Sequence, residues 1–334
     1  MINMDNYEQQ SIFGFPEYKI TKKIRLIEMF GGVGSQAMAL RDIGADFEHH
    51  RLIEFDKYCV QSYNAIHHTS FVPTDIRDVH GKDLAIRERE RYCYILTYSF
   101  PCTDLSVAGK MKGMSKSDWK KGESTRSGLL WEVERILKEL PKEELPDVLL
   151  MENVPMVHSE QNASDFMSWQ DFLNSLGYFN FIQDLNAKDY GIPQNRERCF
   201  MVSILSDDFI SYEFPKPIKL EKVMKDFLEE EVDEKYYIHT EKADKLINTL
   251  LEGQVIGGLQ EHQTPRTDGL CPSLTAAMGC GGGQTPIIKT FRAKGMGTKG
   301  YSPEGYFAEV AATLMARDWK GPANFTDMNG VMEL

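Results

Sequence analysis

Short apolar runs, each stopped by glycine, proline or an acid, recur through the first two hundred residues, and they predict buried strands alternating with helices. The first is Ile24-Arg25-Leu26-Ile27-Glu28-Met29-Phe30. Gly31-Gly32-Val33-Gly34 reads as a tight turn, and Ser35 to Ile43 as a helix ended by Gly44. A second strand precedes Glu54, and a third is expected to end near Val72, with Thr74-Asp75-Ile76 behind it. Tyr92 to Tyr98 is rich in aromatic and branched residues and is stopped by Phe100-Pro101; Asp147 to Met151 and Cys199 to Ile204 complete the series. This rhythm predicts an α/β fold with a parallel sheet. Ligands bind at the carboxyl edge of such sheets.

The pattern changes along the chain and suggests a division into parts. Residues 1–21 form a polar tail, 22–205 carry the strand and helix rhythm, and 206–255 form an acidic helical connector around Glu229-Glu230-Glu231-Val232-Asp233-Glu234. Residues 256–334 hold 13 of the 26 glycines, which marks a small loop-rich region. Two of its segments look alike, Cys271-Pro272-Ser273-Leu274-Thr275-Ala276 and Ala311-Ala312-Thr313-Leu314-Met315-Ala316.

A net charge of −12 argues against nucleic acid at first sight. Phosphate contacts depend on where the basic residues lie, however, and the stretch after Cys102 is locally basic, with Lys110, Lys112, Lys116, Lys120, Lys121 and Arg126. The six cysteines lack paired spacing, so neither a disulfide framework nor a metal site is expected. With no apolar leader and no run of about 18 apolar residues, the expected setting is the cytoplasm.

Several residues carry chemistry. Gly32-x-Gly34-x-x-Ala37 matches a dinucleotide-type glycine loop, and Glu54, 22 residues after Gly32, is placed to hold the hydroxyls of a ribose. Asp75 is either an acceptor for an adenine amino group or a helix cap, and Phe55 either a stacking partner or a core residue. Cys102 falls at the end of one predicted strand and Glu152 at the end of another, while Arg196 and Arg198 stand at period two before a third. A thiol, a carboxyl and two guanidiniums at one sheet edge would suit attack on a flat polar ring.

Together these residues resemble the DNA cytosine-5 methyltransferases. Phe30-x-Gly32-x-Gly34, Glu54-Phe55, Asp75-Ile76, Phe100-Pro101-Cys102, Glu152-Asn153-Val154 and Gln194-x-Arg196-x-Arg198 match the family's motifs in type and order over roughly residues 22–205. The resemblance implies a Rossmann-like S-adenosylmethionine-dependent methyltransferase fold and S-adenosyl-L-methionine as cofactor. The cofactor pocket would take in Phe30, Gly32, Gly34, Glu54, Phe55, Asp75, Ile76, Pro101 and Leu129. Cys102 would add to carbon 6 of a flipped cytosine, Glu152 would act at ring nitrogen 3, Arg198 would bind the ring carbonyl, and Arg196 would support Glu152 and nearby phosphates. The loop after Cys102 would close over the base, with Lys110, Lys112 and Gln194 near DNA. Arg317 and Lys320, in the glycine-rich target-recognition region, would approach duplex DNA.

Two departures accompany the likeness. Thr103 stands where the family usually has glutamine, and the family's closing motifs do not appear before Leu334. The expectation is therefore an intact catalytic half that needs a second polypeptide for full activity. The alternatives are a DNA-binding remnant without turnover and a tRNA cytosine-5 methyltransferase. A nicotinamide-dependent dehydrogenase would leave Cys102, Glu152 and the arginines without a joint purpose.

Overall fold

The fold is that of a computed structural model, which describes residues 16–102, 113–116, 119, 125–229, 245–246, 248–251, 253–258, 264–273, 286–290 and 307–309. Contacts divide the chain into two compact units. The first comprises residues 1–185 and 198–215, the second residues 186–197 and 216–334.

The first unit is built on a six-stranded sheet. Its strands are β1 (Lys23–Met29), β2 (Phe47–Ile53), β3 (Tyr92–Tyr98), β4 (Val148–Asn153), β5 (Tyr178–Asn186) and β7 (Glu197–Leu205), arranged β2-β1-β3-β4-β7-β5. The first four are parallel neighbours, and β7 runs antiparallel to β4. Helices α1 (Ser35–Asp42), α2 (Lys57–His67), α3 (Leu130–Lys138) and α4 (Ala163–Leu176) flank it.

Burial explains why the inner strands read as apolar runs rather than alternations, since both faces are covered. Ile27, Met29, Leu96, Tyr98, Leu149, Met151 and Met201 face a core that includes Trp131 of α3 and Trp169 of α4. Ile24, Leu26, Ile95, Val148, Val202 and Ile204 face the other way, toward α1. Trp169 Nε1 donates to the Tyr98 hydroxyl at 3.1 Å, so the bulkiest pair leaves no polar group stranded. The chain reverses sides of the sheet between β1 and β3. A crevice at that switch point is where doubly wound sheets place ligands.

The expected third strand near Val72 is not there. Val72 is 69 % exposed, and the segment from Thr69 to Thr74 is pinned as a loop by the Asn64 side chain and by Thr74 N–H donating to the Glu54 carbonyl at 2.8 Å. A brief apolar run with no neighbouring strand to pair with has nothing to bury against. In the stretch 206–229 the described residues form one 3₁₀ turn, Met224–Phe227, in otherwise irregular chain.

The second unit holds two small sheets. β6 (Gln194–Asn195) pairs parallel with β9 (Cys271–Pro272), while β10 (Ile287–Thr290) pairs antiparallel with β8 (Val255–Ile256) and β11 (Phe307–Glu309). Met224, Val255, Cys271 and Ile288 make its small core. No helix among the described residues is long and apolar enough to cross a membrane.

Candidate active site

The turn after β1 is built for close approach. Phe30 has φ 58°, a conformation that costs a non-glycine residue about 1–3 kcal/mol, and its N–H donates to the Ile53 carbonyl at 2.8 Å. Gly34, at φ 86°, starts α1, and a Cβ there would lie 2.3 Å from His67 Nε2. At Gly31 a Cβ would meet Leu52 Cδ1 at 2.5 Å. Gly32 differs, because a Cβ there would have nothing within 4 Å. Its backbone borders open space.

Glu54 closes this turn. One carboxylate oxygen accepts from Gly32 N–H at 3.1 Å and the other from Asp56 N–H at 2.9 Å. A carboxylate offers about four lone-pair sites, so two remain for a pair of hydroxyls. Phe55, next in sequence, is 71 % exposed and presents an uncovered ring. An open glycine backbone, a carboxylate with lone pairs to spare and an exposed ring fit an adenosine-bearing group such as S-adenosyl-L-methionine.

Other expected pocket residues have structural duties. Asp75 caps the 3₁₀ turn Ile76–Asp78 by accepting from Arg77 N–H at 3.0 Å. Arg77 also binds it through Nε at 3.0 Å, and that hydrogen bond holds its carboxyl below the usual range. Ile76 is 4 % exposed, and its carbonyl accepts from Arg135 Nη2. Leu129 packs on the core at the start of α3.

A second cluster forms at the same sheet edge. Glu152, on β4, faces Phe200 across the β4–β7 ladder, so Arg198 is its same-face diagonal neighbour, a spacing of about 7–8 Å that long side chains bridge. Arg198 Nε sits 3.1 Å from Glu152 Oε1, both side chains largely sheltered at 18 % and 23 % exposure. An antiparallel β7 is required for this, because it begins where β4 ends.

Asn153 joins this pair to the cysteine loop. Buried at 2 %, its amide donates to the Phe100 carbonyl at 3.0 Å. Ser127 Oγ donates to the Pro101 carbonyl at 2.7 Å, so two successive carbonyls ahead of Cys102 are held by side chains. Cys102 itself is partly exposed. Burial pushes the thiols of Cys59 and Cys93 up to about 11 and those of Cys199 and Cys271 up to about 12, which makes those four poor nucleophiles.

The remaining expected residues belong to the second unit or are not among the described residues. Arg196 directly precedes β7 and belongs to the second unit, where its N–H donates to Asn186 Oδ1 at 3.1 Å. Gln194 lies in β6 of that unit. Lys110, Lys112, Arg317 and Lys320 are outside the described residues. Of the basic stretch after Cys102, Lys116 is spoken for, with its ammonium 2.6 Å from Glu134 and 4.6 Å from the Trp131 ring.

Glu28 escaped the sequence reading, although an acid inside a fully buried run was the available signal. It is wholly buried in β1 beneath the glycine turn, and Tyr63 donates to it at 2.5 Å. Tyr63 also contacts His49 Nδ1 at 2.7 Å, and His67 Nε2 reaches the Val33 carbonyl at 3.0 Å. Desolvation by burial pushes the Glu28 carboxyl up to about 7 against the pull of its hydrogen bonds from Tyr63 and Ala37.

Comparison with known proteins agrees with this geometry. The C-5 cytosine-specific DNA methylase family matches residues 24–264. The chain is 34 % identical over 267 residues to the orphan methyltransferase M.SssI of Spiroplasma monobiae, covering 64 % of this chain and 67 % of that protein. It is 30 % identical over 276 residues to the type II methyltransferase M.Bsp6I of Bacillus sp. strain RFL6, covering 80 % and 82 %. The S. pombe Dnmt2 methyltransferase shares the fold, with a TM-score of 0.56 at 17 % identity over 82 % of this chain and 78 % of that one. With the glycine turn, Glu54, Cys102, Glu152 and Arg198 all on one sheet edge, the chain belongs to the C-5 cytosine-specific DNA methylases.

Proposed function

We propose that this chain methylates carbon 5 of a cytosine extruded from duplex DNA, through a covalent adduct at Cys102. The observation that carries the reading is the Glu152–Arg198 pair at 3.1 Å, standing one residue from the Asn153 amide that holds the Cys102 loop. Cytosine carbon 5 is a weak nucleophile. The Cys102 thiolate adds to carbon 6, the displaced ring electrons move to nitrogen 3, and Glu152 delivers a proton there, leaving carbon 5 electron-rich. Arg198 orients the carboxyl and lies within reach of the ring carbonyl. Once carbon 5 carries the methyl group and has shed its proton to a base, the carbon 5–carbon 6 double bond re-forms, Cys102 leaves as thiolate and nitrogen 3 returns its proton to Glu152.

S-adenosyl-L-methionine, the family's cofactor, supplies an electrophilic methyl group when bound. Gly32 and Gly34 would line its path, Glu54 would accept from its ribose, and Phe30 and Phe55 would flank its adenine, with Pro101 and Leu129 nearby. Stacked bases hide the reacting atoms, so the target must leave the helix, as the general rule for methyltransferases requires. Arg196, Gln194, Lys110, Lys112, Arg317 and Lys320 are the proposed DNA-contacting groups. Duplex DNA carrying 5-fluorocytosine, incubated with protein and cofactor, tests the reading. The expected product is a stable adduct mapping to the Cys102 peptide, and a methylated product with no adduct at that peptide would refute it.

A further inference from the structure

Cys199 lies on the face of β7 opposite Arg198, toward α4. Its sulfur, an imidazole nitrogen of His158 and a carboxylate oxygen of Asp184 are all within 4.8 Å of one another. His158 ends the 3₁₀ turn Pro155–His158 after β4, and Asp184 belongs to β5. His158 Nε2 is 3.0 Å from both oxygens of Asp184. Three atoms so spaced have a common centre within about 2.8 Å of each, and zinc bonds nitrogen at about 2.0–2.1 Å and sulfur at about 2.3 Å, so a small inward movement completes a coordination shell.

We propose that His158, Asp184 and Cys199 bind a divalent ion of the zinc type, with water in the fourth position. The donor set is nitrogen, oxygen and sulfur, which favours zinc or cobalt over magnesium or calcium. Two ligands stand on strands of one sheet, and the third on a turn opened by Pro155, so the backbone that carries them is stiff. A cavity of about 420 Å³ is lined by His158 and Asp184, two of the three ligands, together with Phe166, Met167 and Gln170, and leaves room beside them for a water. On binding, the thiol proton goes to solvent as the metal–sulfur bond forms, and the imidazole keeps its hydrogen on Nδ1. A dication also cancels the Asp184 charge that faces the thiol. No local CxxC or HxxH spacing announces the group, because its members come from three separate segments.

The ion would clamp β7 at a position paired with Asn153, the residue that holds the Cys102 loop. The test uses the full chain freed of metal and titrated with Co²⁺. Expected are a sulfur-to-cobalt charge-transfer band, its loss in Cys199→Ser, its survival in Cys102→Ser, and at least ten-fold weaker cobalt binding in His158→Ala. Zn²⁺ should displace the cobalt and raise the melting temperature of the wild type and of Cys102→Ser, but not of Cys199→Ser or His158→Ala. The proposal fails if no such band appears at millimolar Co²⁺, or if the band persists in Cys199→Ser. Should that buried substitution impair folding, His158→Ala, on the surface, decides the matter: unchanged cobalt affinity overturns the site.

Discussion

The proposed cofactor cradle and the proposed catalytic cluster share one sheet edge but are built differently. The cradle is local: Gly31 to Gly34, Glu54 and Phe55 lie within 25 residues, and its key bond joins a glycine N–H to a carboxylate. The cluster is assembled from segments some fifty residues apart, Phe100–Cys102, Glu152–Asn153 and Arg198, and depends on the pairing of β3, β4 and β7. A local device survives small shifts of the sheet. A cluster tied together across strands should lose function whenever the ladder loosens, even where no reacting group is touched.

The largest effect expected is Cys102→Ser. A hydroxyl is a far weaker nucleophile than a thiolate, so turnover should fall by about four orders of magnitude or more while DNA binding persists. Single-turnover methylation beside a binding titration measures both. Serine turnover near wild type would separate the two regions entirely, leaving the cradle without its partner. Glu152→Gln should follow, with a loss of about two orders of magnitude, the usual contribution of a positioned proton donor.

Asn153→Ala tests the cross-strand tie alone. It removes a buried donor and leaves the Phe100 carbonyl unpaired, at about 1–3 kcal/mol. Turnover should drop by about ten-fold with cofactor affinity unchanged, as read by calorimetry and initial rates. Equal losses in both would mean that cradle and cluster are one cooperative body.

The same contrast decides what could be read from sequence. The cradle's glycines, Glu54 and the boundaries of β1 and β3 were legible, because local spacing fixes them. Cys102 and Glu152 were legible as strand ends. The direction of β7 was not, since nothing in Cys199 to Ile204 distinguishes a parallel from an antiparallel neighbour, and that direction is what delivers Arg198 to Glu152. Val72 is apolar yet exposed, because no strand lies beside it to pair with, and Asp75 caps the turn Ile76–Asp78, a duty its residue type allows alongside the other. Glu28 was passed over inside an apolar run, where its charge was the anomaly to notice.

Glu28 yields the smallest effect and the sharpest test of the cradle by itself. Its carboxyl titrates near 4.3 in an unfolded chain and is pushed up to about 7 in the fold by burial. The native state therefore binds the proton more tightly. That contribution is whole below about pH 4.3 and is lost as the pH climbs through 7, leaving a buried charge that costs roughly 3.5–4 kcal/mol at most. Glu28→Gln keeps an acceptor for the Tyr63 hydroxyl and removes the titration. Denaturant unfolding at pH 5 and pH 8 should show wild type losing about 2–3 kcal/mol relative to the variant across that interval, with the contributions of other groups cancelling in the difference. Parallel stability curves would show that Glu28 reaches water and ionises freely. Since Glu28 lies under the glycine turn, cofactor affinity should shift with the substitution while the yield of the Cys102 adduct at saturating cofactor stays level.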